Sequence, residues 1–139
     1  MLRQAAEVRI PRMTLARVVA LASAAFPAEA CGLLAAKRVG RFLDIVLYPA
    51  PNVAIARGSF EIPRAAIATI RRRIGRDGLV LCGCFHSHPS GPARPSPTDS
   101  RLARTRPDFL WLIYSASSQQ IGVFRKSNGR FTEVPWQYA

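Results

Sequence analysis

The sequence predicts an α/β sandwich, a mixed central sheet with helices against its faces. Three observations predict it. Apolar runs are short and spread over all 139 residues, 49% apolar and 20% charged, which excludes a disordered tail or a fibrous repeat. Segments of helical period are interleaved with strand-like ones along the chain. Glycine and proline punctuate them, with no internal repeat and no linker. The length suits one hydrophobic core, so residues 1–139 are expected to form a single domain.

The elements follow in order. Glu7 to Ile10, "EVRI", alternates as a short strand. Pro11 then suits the first turn of a helix running to about Phe26, where Leu15, Val18, Val19, Ala22 and Phe26 make one apolar stripe and Pro27 closes it. "EACGLLAA" and "RFLDIVLY" read as strands separated by a turn at Gly40. "PAPNVA" is a loop and "SFEI" a short strand. Pro63 to Arg73 repeats the helical pattern with Ile67 and Ile70 inward; the arginines at its end suit the negative pole of the helix dipole better than a dedicated anion site. "LVLCGCFHSH" is a central strand, followed by a proline-rich loop and a helix from Pro97 to about Thr105. "FLWLIYSA", "QQIGVFRKS" and "RFTEV" complete the chain as strands, the last two joined by an Asn128-Gly129 hairpin turn.

The formal charge of +12 is carried almost wholly by arginine. It fits a polyanionic partner (nucleic acid, an acidic membrane surface or an acidic protein) and equally a biased genomic base composition. Cys31, Cys82 and Cys84 have no metal-finger spacing and leave an odd thiol if two pair, which fits a reducing, cytoplasmic setting. "VVALASAAF" before "AEAC" imitates a signal peptide, but Arg17 interrupts the apolar run and the helical stripe explains it better. No stretch is long enough to span a membrane.

The two histidines, His86 and His88, stand one residue apart at the end of the central strand. Alternation puts both on one face, roughly 7 Å apart along the backbone, where two imidazoles pinch one ion. Cys82 and Cys84 share that parity, but four such residues stretch over roughly 20 Å, too far for zinc ligands at about 2.0–2.3 Å, so the cysteines read as core. A catalytic zinc needs a third protein ligand, and Asp99 is the candidate. "SPTD" is also a helix start, with Ser96 as N-cap, Pro97 at the first position and Asp99 at the third. Capping and ligation need not compete. Two neutral imidazoles and one carboxylate leave the ion net positive, able to polarise a carbonyl and lower a bound water's pKa to about 7.

"HSHPSGPARPSPTD" resembles the motif of the JAMM/MPN+ zinc metallopeptidases (the Mov34/MPN/PAD-1, prokaryotic JAB-like family): His-x-His, seven residues, Ser-x-x-Asp. "EACGLL" fits the family's upstream glutamate stretch, with Glu29 before Cys31 and Gly32. The resemblance implies a cytidine-deaminase-like α/β/α three-layer fold with a mixed central sheet. It implies one Zn2+ held by His86, His88 and Asp99, Glu29 as the group that moves a proton from the attacking water to the leaving amine, and Ser96 as a hydroxyl donor to the oxyanion.

The chain is more similar to compact prokaryotic members than to eukaryotic deubiquitinases. That similarity implies hydrolysis of a peptide or isopeptide bond after the Gly-Gly tail of a ubiquitin-like or sulfur-carrier protein. Arg94, Arg101, Arg104 and Arg106 near the motif fit an acidic partner. Two alternatives stand beside it: a RadC-like, DNA-associated protein, for which no DNA-reading motif is apparent, and a non-catalytic MPN scaffold, which usually lacks the ligands present here. A nucleotide deaminase fits less well still, because the H-x-E and P-C-x-x-C pattern is missing.

Overall fold

The computed structural model describes residues 7–56, 58–102, 108–127 and 129–139. In chain order the elements are β1 (Glu7–Ile10), α1 (Arg12–Ala25), β2 (Cys31–Val39), β3 (Phe42–Ala50), α2 (Arg64–Arg76), β4 (Val80–His88), α3 (Pro97–Leu102), β5 (Leu110–Ser115), β6 (Gln120–Ser127), β7 (Arg130–Glu133) and β8 (Trp136–Tyr138). Among the described residues the strands make one eight-stranded sheet of order β7-β6-β5-β4-β2-β3-β1-β8. β4 pairs parallel with β5, and β1 parallel with both β3 and β8; the remaining pairs are antiparallel. The central strand is the one expected, β4, bordered by β2 and β5.

Side-chain alternation along the strands feeds two apolar clusters, one on each face, where one core was expected. Ile10, Ile45, Phe85 and Leu112 pack with Val18 and Ala22 of α1. Leu33, Trp111 and Ile113 pack with Ile70 and Ile74 of α2. The result is the α/β/α sandwich. α1 is fixed on its face by Thr14 Oγ1 donating to the Ile45 carbonyl at 2.7 Å and Arg17 to that of Leu47 at 3.1 Å.

The sheet is curled. β7 and β8 stand at opposite ends of the strand order yet are joined by Val134 and Pro135 alone. Three Cα steps reach at most about 11 Å, whereas a flat sheet with about 4.8 Å between strands would put those edges roughly 34 Å apart. Val134 and Trp136 pack onto the α1-side cluster, so the sheet closes toward that side.

Several expectations are corrected. Cys82 does not share a face with Cys84 and the histidines: the β2–β4 register passes from Leu34↔Gly83 to Ala35↔Leu81, and the bulge turns Cys82 to the α1 side while Cys84 stays on the α2 side. Gly83 sits at this irregularity, where an added Cβ would lie 2.1 Å from the Leu110 carbonyl oxygen, so only glycine lets β4 lie this close to β5. Ser59–Ile62 is not a strand; its backbone is held by the side chain of Asn52 instead of a ladder. α2 runs to Arg76, one turn past the expected end, and Arg73 lies over the Tyr48 ring at 5.3 Å. β8 was not foreseen. Asn128 of the expected hairpin turn and the residues after Leu102, including Thr105, lie outside the described residues. No helix among the described residues is long and apolar enough to cross a membrane.

Candidate metal centre

His86 lies in the most paired part of the sheet, with its Cα opposite Cys31 of β2 and Ile113 of β5. Its ring is sandwiched on the α2 side, stacked on Phe60 at 4.6 Å and 18° and edge-to-face with Trp111 at 5.6 Å. Two residues on, His88 ends the strand. Its carbonyl accepts from the Ala116 N–H at 2.9 Å, and its Nδ1 lies 2.9 Å from the Pro92 carbonyl. A carbonyl only accepts, so His88 carries its proton on Nδ1 and turns the Nε2 lone pair inward.

The loop that follows is tied to β5 and β6. Ser115 Oγ donates to the Gly91 carbonyl at 2.6 Å, and Gly122 lets the loop approach so closely that a Cβ there would be 2.3 Å from the Ala93 carbonyl oxygen. The loop returns as α3, whose start is a reciprocal cap: Asp99 N–H donates to Ser96 Oγ at 3.1 Å and Ser96 N–H to Asp99 Oδ2 at 2.8 Å. Capping and cluster formation are therefore done by one carboxylate. Asp99 Oδ1 is 3.0 Å from His86 Nε2, Asp99 Oδ2 is 3.2 Å from His88 Nε2, and the two Nε2 atoms are 3.1 Å apart. All three residues are buried, and together they form a group able to hold a metal ion.

The triangle fits a small divalent ion. Ligands at about 2.0–2.1 Å in a tetrahedral shell stand roughly 3.3 Å from one another; the Nε2–Nε2 distance is 3.1 Å, and each imidazole has its own Asp99 oxygen at 3.0 or 3.2 Å, Oδ1 for His86 and Oδ2 for His88. Both Nε2 atoms and the Asp99 carboxylate converge within hydrogen-bond distance of one another, where a cation would be held by all three. Burial lowers the pKa of His86. It opposes protonation of His88 too, but there the Asp99 hydrogen bond, the Pro92 carbonyl and the charges of Asp99 and Glu29 prevail and raise it. For Asp99 burial is likewise outweighed, by both imidazoles and the Ser96 N–H, which hold its carboxyl well below the usual range. The cysteines are no ligands: all three are free and buried, and burial pushes the Cys31 and Cys82 thiols up to about 12.

Glu29 precedes β2 and is brought to the same place by bonds between residues 57 apart in sequence. Ala30 N–H donates to Ser87 Oγ at 2.9 Å, and Ser87 N–H to the Ala30 carbonyl at 3.0 Å. The residue between the two histidines thus fastens the turn that carries Glu29. The carboxylate is buried and its Oε1 has no hydrogen-bond partner. Burial, reinforced by the charge of Asp99 and opposed by that of His88, raises its pKa to about 7. Glu29, His88 and Ser96 line one cleft of about 660 Å³, together with Phe26, Pro27 and the proline-rich loop. Arg94 also lines it; the side chain of Arg101 and residues Arg104 and Arg106 lie outside the described residues.

Sequence reasoning missed Ser87, Asn52 and Phe60. Asn52 Nδ2 donates to the Glu29 carbonyl at 3.0 Å and to that of Ser59 at 3.2 Å, while its Oδ1 accepts from Ala54 and Glu61 N–H at 2.9 and 3.0 Å. The one hint was the "PN" dipeptide, a turn signal that says nothing of a partner 23 residues upstream.

Residues 11–127 match the family model of prokaryotic homologs of the JAB domain, and the chain belongs to that family. Its mixed α/β fold matches solved structures: a protein of Desulfitobacterium hafniense (TM-score 0.79, 31% identity, covering 95% of this chain and 94% of that one) and a JAB1/MPN domain protein of Archaeoglobus fulgidus (0.58, 22%, covering 94% and 96%). Among curated relatives it is 36% identical over 86 residues to a probable TtuB-protein conjugate cleaving protease of Thermus thermophilus. It is 33% identical over 111 residues to a desampylase of Haloferax volcanii. These matches cover 60% and 79% of this chain, and 55% and 70% of the relatives' own lengths.

Proposed function

We propose that the protein is a zinc metallopeptidase, with one ion per chain, that hydrolyses a peptide or isopeptide bond after the C-terminal Gly-Gly of a ubiquitin-like or sulfur-carrier protein. One observation carries the reading: Glu29, buried and with an unpartnered Oε1, lines the same cleft as His88, one of three residues grouped to hold a metal ion. His86, His88 and Asp99 would hold the ion, which when bound supplies Lewis acidity toward water and the scissile carbonyl. Two neutral imidazoles and one carboxylate keep the site net positive.

Glu29 takes the proton of the attacking water at its open Oε1 and returns it to the leaving amine. The unpartnered Oε1 leaves the carboxylate an acceptor for that proton. Ser96 Oγ already accepts from the Asp99 N–H, so its hydroxyl proton remains to donate to the oxyanion as charge develops there. The names of the two curated relatives support a protein-conjugate substrate, and Arg94 on the cleft supports an acidic one. Three free thiols support a cytoplasmic setting.

The test is a panel of Gly-Gly-ended carrier proteins fused to a short tail, incubated with zinc-loaded protein and with Glu29→Gln. The wild type should cleave at least one carrier, and the variant should be slower by about 10²–10⁴ while binding zinc equally. Equal cleavage by both, or by neither with metal bound, rejects the mechanism.

A further inference from the structure

We infer that Asn52 is a positioning residue for Glu29, an inference that rests on the reading of Glu29 as the proton carrier. The β2–β3 ladder starts at Cys31↔Ala50, and its register extended outward would set Glu29 opposite Asn52. The backbone ladder stops at the Cys31↔Ala50 pair, before reaching Glu29. The side-chain amide takes over: Nδ2 holds the Glu29 carbonyl at 3.0 Å where no strand partner does.

All four hydrogen-bonding positions of that amide are filled. Its two donors reach toward the site, to Glu29 and to Ser59, which precedes the Phe60 ring stacked on His86. Its oxygen accepts from Ala54 and Glu61 N–H and folds its own loop. With the Ala30–Ser87 bonds on the other side, Glu29 is held at its backbone from both directions while its carboxylate stays open.

The division between donors and acceptors gives the experiment. Asn52→Asp keeps both acceptor bonds and loses both donor bonds; Asn52→Ala loses all four. Each is made in the wild-type background and in Glu29→Gln, and four quantities are measured: kcat, KM, zinc affinity by chelator competition, and hydrogen exchange at the Ala54 and Glu61 amides. Asn52→Asp should keep those amides protected, leave KM and zinc affinity within about threefold, and lower kcat by about 10–100-fold, the scale on which a small misplacement of a reacting group acts. In the Glu29→Gln background the same change should cost less than twofold, because nothing remains to be positioned.

An equal loss of kcat in both backgrounds would make Asn52 a general structural residue and overturn the inference. So would wild-type kcat in Asn52→Asp, or zinc affinity falling in parallel with kcat. A Glu29→Gln enzyme as fast as wild type would overturn the reading of Glu29, and the inference with it.

Discussion

The two halves of the candidate site are built by opposite means. His86, His88, Ser96 and Asp99 come from one strand end, one loop and the first turn of α3, and each contact among them spans few residues. Glu29 stands on a turn that becomes a site only through long-range bonds to Ser87 and Asn52. The difference separates the two properties that the proposed activity needs together. The metal-ligand group follows from contacts short in sequence, whereas the placement of Glu29 depends on the tertiary closure of distant segments.

The largest effect should come from breaking the local half outright. Asp99 touches both imidazoles and accepts from Ser96 N–H, so Asp99→Ala should weaken zinc binding by at least about 100-fold in a chelator competition and abolish cleavage. Ser96→Ala sharpens the comparison, since it removes a helix cap and the proposed oxyanion donor together. It should cost about 10²–10³ in kcat but only about 1 kcal/mol in a urea unfolding experiment. Gly122→Ala attacks the support of the local half from behind: its Cβ would meet the Ala93 carbonyl oxygen and the Phe124 ring. A loss of about 1–3 kcal/mol on urea unfolding, with zinc affinity reduced, is expected.

The smallest effect belongs to the remote half and reads its burial directly. The folded pKa of Glu29, about 7, stands above its ordinary 4.5, so between those values the folded state of the metal-free protein keeps a proton that the unfolded chain has released. The stability contributed by this group is therefore full below pH 4.5 and lost as the pH rises to about 7. Urea midpoints of metal-free protein across that window should fall with pH, and Glu29→Gln should flatten the slope.

How much was legible in the sequence follows the same division. The motif from His86 to Asp99 was readable because strand alternation, a loop and a capping box are local rules, and the strands and helices were readable from period and punctuation. Cys82 was put on the wrong face because a bulge is set by the partner strand, which one strand's sequence does not display. Ser59–Ile62 looked like a strand because its composition is strand-like, while its hydrogen bonds go to a side chain. β8 is three residues following a proline, too short for a period to register. Glu29 was found only through family resemblance, since an acid before a strand is unremarkable until its tertiary neighbours are known.

The Val134–Pro135 bridge ties the opening and closing strands of this sheet into neighbours. A ribosome making this chain would hold Val8 and Ile10 ready long before their partners Trp136 and Tyr138 exist. Until then the greasy lining beneath α1 has an open seam, and contacts of such sequence separation form late and slowly. The shell can shut only after Trp136 and Tyr138 have been made.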